Sequence, residues 1–183
     1  MIIESIVTTL NEAGEVNFAP MGVTIGEGDI VIRPYADSTT CRNLLATGAT
    51  VVNLTDNARL FAESAVSNPQ FPTFPAELIT GVVLSDACSY YECSVGQTDT
   101  TPPRTTFHCQ IVKKGGLREF IGFNRAKNAI IEAAILATRV RLLGVAPILQ
   151  EYRRLSEIVQ KTGGEQETLA MAYLQEYVER QRR

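Results

Sequence analysis

The chain has 183 residues, 45% hydrophobic and 20% charged, with a formal net charge of −3. That profile suits one ordinary domain, or a domain with an appendage, able to bury a core without cross-links. The acidic balance argues against a nucleic-acid partner, which would call for a basic excess. The longest apolar stretch, 129–149, carries Glu132, Arg139 and Arg141 and does not read as a membrane span.

The opening Met1-Ile2-Ile3-Glu4 lacks the basic start of a signal peptide, so the expected compartment is the cytoplasm. Residues 2–9 are rich in β-branched side chains and predict a strand. Asn11-Glu12-Ala13-Gly14 supplies a turn. Residues 16–25 read as two short extended pieces, interrupted by Pro20 and Gly22. After a turn at 26–29, residues 30–33 form a strand closed by Pro34. Asp37-Ser38-Thr39-Thr40 is a capped helix start, and Gly48 ends that helix. A strand over 50–54 follows, then a second short helix opened by Asp56-Asn57 and running to about Val66.

Residues 68–75 hold Pro69, Pro72 and Pro75 around Phe71 and Phe74. They predict a rigid loop, either a packed connector or a flap over a pocket. Residues 88–95, 105–113 and 117–123 read as three strands, the last two joined by a hairpin turn at Lys114-Gly115-Gly116. The intervening 98–104, with Pro102-Pro103, reads as a mobile loop. From Asn124 the chain reads as helix. Asn124 caps a largely buried helix over 125–143, and Gly144 stops it. Pro147 opens a helix to about Lys161, and a third covers 165–180 after Thr162-Gly163-Gly164. Arg180, Arg182 and Arg183 read as a solvated helix end.

Cys41, Cys88, Cys93 and Cys109 read as free, strand-borne or core thiols, and no spacing suggests a metal site. His108, the one histidine, has no carboxylate partner in sequence, and Glu92 is a weak candidate for a pocket-lining group.

Two segments carry the chemistry. Ser38, Thr39 and Thr40 sit at a helix N-terminus, where free N–H groups and the dipole favour an anion; Arg33 or Arg42 would add a charge-assisted bond. The same residue types also serve as ordinary helix caps. Ala19-Pro20-Met21-Gly22 offers extended backbone that a flat ring can approach, or simply a kinked edge strand.

The order Asn-x-Ala-Pro-Met-Gly (17–22), Ser-Thr-Thr-x-x-Asn-Leu (38–44) and Thr-Gly-x-x-Val-Val-Asn-Leu (47–54) resembles the flavin reductase-like FMN-binding split-barrel superfamily. The run from Leu117 through Phe-Asn-Arg-Ala-Lys (123–127) to Leu143, with Lys-Thr-Gly-Gly-Glu (161–165), resembles the DUF447 family within it. The resemblance implies an α+β chain: a Greek-key split β-barrel over 1–123 and a helical C-terminal domain over 124–183. It implies FMN near a homodimer interface, its phosphate against Ser38, Thr39 and Thr40 with Asn43 nearby. Its ring would lie against Ala19, Pro20, Met21, Gly22 and Val23, with Asn53 close to the pocket. Relatives often carry Asp where this chain has Thr39, so the phosphate contacts are expected to differ in detail. The implied function is an oxidoreductase serving a small-molecule electron donor and acceptor, with no catalytic side chain assigned. A non-catalytic flavin carrier or sensor, or a cofactor-free dimer, would use the same scaffold.

Overall fold

The computed structural model describes residues 1–182; Arg183, part of the expected solvated end, lies outside the described residues. The chain divides into two compact units, Met1–Thr55 with Gln70–Phe120, and Asp56–Pro69 with Ile121–Arg183.

The first unit is an antiparallel barrel. Its strands are β1 (Ile2–Leu10), β2 (Val16–Ile25), β3 (Asp29–Ile32), β4 (Ala49–Leu54), β7 (Ser89–Asp99) and β8 (Thr106–Gly116), closed in the order β1-β2-β3-β8-β7-β4. The short strands β5 (Thr73–Pro75) and β6 (Val82–Leu84) form a separate hairpin. Helix α1 (Thr39–Thr47) contributes Cys41 and Leu44 to a barrel core that includes Val7, Val23, Ile30, Ile32, Val52, Cys93, Phe107 and Cys109. Complete burial of each aliphatic side chain there is worth about 1.5–3 kcal/mol. Five consecutive residues of β1, Ser5–Thr9, are buried. Alternation sends Val7 into the barrel, while Thr8 donates its hydroxyl to the Val82 carbonyl of β6 (2.7 Å). So both faces of β1 are covered.

Three sequence expectations are corrected in this unit. Residues 16–25 form one continuous strand despite Pro20, because the stretch up to Val23 pairs only with β1 and leaves its other edge unpaired by any strand. Lys114-Gly115-Gly116 is not a turn, and 117–123 is not a strand: β8 runs through both glycines, which pair with Tyr90 and Ser89. The Tyr90 ring lies so close to Gly115 that a Cβ there would overlap it, so this glycine serves close approach rather than reversal. The loop at 68–75 is partly strand, and it packs: Phe71 meets Phe18 edge-on at 5.1 Å and Phe74 meets Tyr90 at 6.2 Å.

The second unit holds α2 (Ala58–Val66), α3 (Arg125–Thr138), α4 (Val140–Leu143), α5 (Val145–Thr162) and α6 (Glu165–Arg180). The 1–123/124–183 division is thereby amended. Helix α2 belongs with the helices because Ala58 and Ala62 share their core with the alanine-rich face of α3. Small side chains at 126, 129, 133, 134 and 137 let neighbouring helices approach, and Tyr152 reaches in to donate to the Ala133 carbonyl (2.7 Å). The expected 125–143 helix breaks at Arg139, whose N–H turns back to Leu136 O (3.0 Å) and tightens the last turn. Asn124 caps α3 as expected, accepting from Ala126 and Lys127, and its amide donates to Thr162 O at the end of α5.

Gly115→Ala should lower unfolding free energy by about 1–3 kcal/mol in urea titrations, while Gly116→Ala, with open space around it, should stay within about 0.5 kcal/mol of the parent. Burial, reinforced for Cys93 by the neighbouring Cys109 and Glu92, pushes both thiols up from 9.0 to about 12. Above the ordinary thiol range the unfolded chain releases protons that the folded barrel retains, so these groups favour folding fully below about pH 9 and progressively less up to about pH 12. Ellman's reagent at pH 8 should leave both thiols untouched until the protein is unfolded.

Candidate functional site

Strand β2 pairs with β3 only at Thr24↔Val31 and Ile25↔Ile30. On that side residues 16–23 therefore present main chain without a strand partner. Pro20, which has no N–H to offer, sits in this stretch. Ala19, Pro20 and Met21 are half-buried and Gly22 is exposed. Val23 differs from expectation in one respect: its side chain is barrel core, 1% exposed, so only its backbone faces the edge.

Helix α1 begins beside this edge. Thr40 Oγ1 accepts from Asn17 Nδ2 of β2 (3.1 Å), which joins the two segments that the sequence singled out. Thr9 Oγ1 accepts from Asn43 Nδ2 (3.0 Å) and, at 3.4 Å, from Asn17 Nδ2. The Thr40 and Asn43 side chains are thus buried joints between helix and barrel rather than exposed donors.

Ser38 is the N-cap. Its hydroxyl accepts from Cys41 N (3.1 Å) and donates to Tyr35 O (2.7 Å). Its proton is committed to that turn. Thr39 is exposed; its Oγ1 accepts from Arg42 Nη2 (3.0 Å), which leaves its own proton to give. Among the described residues the first-turn N–H groups of Thr39 and Thr40 have no acceptor, and the exposed Arg33 guanidinium has no partner. Two open N–H groups, one hydroxyl, the Arg42 guanidinium and a helix dipole of about half a charge form an anion-binding donor set. This donor set fits a phosphate monoester, and the open edge of β2 fits the polar rim of a flat ring.

Asn53 is placed differently from expectation. It is fully buried; Nδ2 donates to Ile6 O (2.9 Å) and Thr8 Oγ1 (3.2 Å), while Oδ1 accepts from Leu84 N (2.9 Å). It fastens the β5–β6 hairpin to the barrel and has no surface left for a ligand. Glu92 is likewise a fastener, accepting from Glu77 N (3.0 Å) and Leu78 N (2.7 Å). His108 is exposed on β8, opposite Val31. The expected mobile loop at 98–104 is tied down: Thr105 N donates to Pro34 O and Ala36 N to Pro103 O. Sequence reasoning missed Thr9 and Arg104, whose relevance rests on contacts between segments far apart in the chain.

The family model of the DUF447 N-terminal domain matches residues 3–118, and that of the C-terminal DUF447 domain matches 124–176. The chain belongs to the DUF447 family. Both models are described as of unknown function. Among solved structures, an FMN-bound DUF447 protein from Methanosarcina mazei is 26% identical, with a TM-score of 0.84 over 96% of this chain and 94% of that one. The 2-nitrobenzoate 2-nitroreductase of Pseudomonas fluorescens (22% identity, TM-score 0.54, 61% and 62% of the two chains) is similar in fold. So is the styrene monooxygenase flavin reductase of Pseudomonas putida S12 (20%, 0.52, 62% and 77%). This DUF447 chain therefore has the split-barrel fold with a helical C-terminal region. No helix among the described residues is long and apolar enough to cross a membrane.

Asn53→Ala strands the Leu84 N–H and should cost about 2–3 kcal/mol of stability in denaturant titrations. At temperatures well below unfolding, that variant should keep the ligand affinity of the parent; a ligand-specific loss would return Asn53 to the site.

Proposed function

We propose that this DUF447 protein binds FMN and works as a flavin-dependent oxidoreductase on a small-molecule donor and acceptor. The observation that carries the reading is the open donor set at the start of α1, joined through Asn17 and Thr40 to the unpaired edge of β2. The FMN-bound relative from Methanosarcina mazei supports it. Bound FMN supplies hydride or electron transfer through its ring. The chain's part is to bind and orient. Thr39 and Thr40 N–H, the Thr39 hydroxyl and Arg42 would hold the phosphate, with Arg33 alongside. The main chain of residues 19–22 would read the ring's polar rim. Pro20 gives that stretch a rigid extended backbone against which a ring can lie. No acid–base dyad is required of the side chains, because the redox chemistry belongs to the cofactor. Assembly as a homodimer belongs to the same proposal.

The test is the visible spectrum of the purified protein after incubation with FMN and desalting, alongside Thr39→Glu. A carboxylate at the first helical position suits the helix dipole, so folding should be unharmed or slightly strengthened. The same carboxylate repels a phosphate, so FMN affinity should fall by about tenfold or more. Near-stoichiometric flavin on the parent, bleached by a reduced nicotinamide or reduced deazaflavin, supports the full reading. A parent that retains no flavin overturns it, and a Thr39→Glu variant with parental affinity removes α1 from it.

A further inference from the structure

Arg104 lies far from α1 in sequence but is built against the turn that leads into it. Its Nη1 donates to Arg33 O (2.7 Å), and its guanidinium carbon lies 3.8 Å from the centroid of the Tyr35 ring. The two residues also form an isolated antiparallel bridge, flanked by Thr105 N to Pro34 O (3.1 Å) and Ala36 N to Pro103 O (3.4 Å). Residues 103–105 are therefore stitched along 33–36.

The stack buries little. Tyr35 remains 56% exposed, and exposed cation–π pairs contribute little to stability. Its consequence is geometric. The Tyr35 carbonyl accepts both the Ser38 N–H (3.0 Å) and the Ser38 hydroxyl (2.7 Å), and that hydroxyl accepts the Cys41 N–H (3.1 Å). Ser38 O in turn accepts the Arg42 N–H (3.1 Å). Fixing Tyr35 thus fixes the cap, and the cap sets where the open N–H groups of Thr39 and Thr40 point. Anion recognition by a helix N-terminus depends on those directions.

We propose that Arg104 and Tyr35 are positioning residues for the phosphate-binding turn, acting through the Tyr35 carbonyl and Ser38 without touching the ligand. The proposal rests on the reading of α1 as the FMN phosphate site, and it adds that the 103–105 segment sets that site's selectivity for the phosphorylated flavin over riboflavin. The Tyr35 ring acts through Arg104, so removing it in addition to Arg104 should add nothing.

The experiment compares FMN and riboflavin affinities, by quenching of flavin fluorescence, in the parent, Arg104→Ala, Tyr35→Ala and the double variant. The parent should prefer FMN. Arg104→Ala, which loses one charged hydrogen bond and one stacked cation, should weaken FMN by about tenfold, and Tyr35→Ala, which loses only the stack, by about two- to fivefold. Riboflavin affinity should stay within about twofold, and the double variant should be no worse than Arg104→Ala. A general structural role would weaken both flavins alike and overturn the proposal. So would losses that multiply in the double variant, which mark independent ligand contacts, and so would a full FMN preference in Arg104→Ala. A parent without FMN preference fails at the earlier step, removing the phosphate reading and this proposal together.

Discussion

The departure of β2 from β3 is the constraint on which the rest of the barrel depends. Strand β3 has four residues, and only its middle pair, Ile30 and Val31, meets β2. Pro34 then ends the extended run, and the chain turns through Tyr35 to Ser38 into α1. A longer β3 would zip against residues 16–23 and satisfy their main chain. The short one leaves hydrogen-bonding groups open, and a helix N-terminus with its own open groups begins beside them. Unsatisfied polar groups on two adjoining elements are costly to leave unhydrated, so they occur where water or a ligand completes them.

Much of this was legible in the sequence because it is local. Ser38, Asn57 and Asn124 are caps whose partners lie two or three residues away, and Gly48 closes α1 in a left-handed conformation (φ 66°). The two segments flagged for chemistry, the one running through Ala19 to Gly22 and the one at Ser38 to Thr40, do meet, through Asn17 and Thr40. What failed was non-local. Gly115-Gly116 has the composition of a turn, and only the Tyr90 ring across the sheet shows why glycine stands in a strand there. Asn53 looks like a polar residue waiting for a ligand until Leu84, thirty-one positions on, is seen donating to it. Composition marks a polar side chain as capable of hydrogen bonds but does not say whether the protein has already used them.

The site residues divide along the same line. Thr40, Asn43 and Asn53 spend their side chains inside the protein, where each holds one element to another. Thr39 and Arg42 keep capacity facing outward, and Arg33 has no partner among the described residues. The run Ser38 to Asn43 at this helix start thus serves two purposes at once, with the inward Thr40 and Asn43 fixing the helix and the outward Thr39 and Arg42 left for a guest.

The interleaving of the two units has a consequence for how this chain could be divided. Residues 56–69 leave the barrel unit, lend α2 to the helices and return, so the barrel's own sequence is interrupted by a piece of its neighbour's core. The family boundary near residue 120 is a boundary of sequence, not of folding. A fragment ending there would still carry α2, but with Ala58 and Ala62 deprived of the α3 and α6 faces they pack on. An exchange of the C-terminal helices for another set would have to preserve their fit to α2, which lies earlier in the chain between two stretches of the barrel unit.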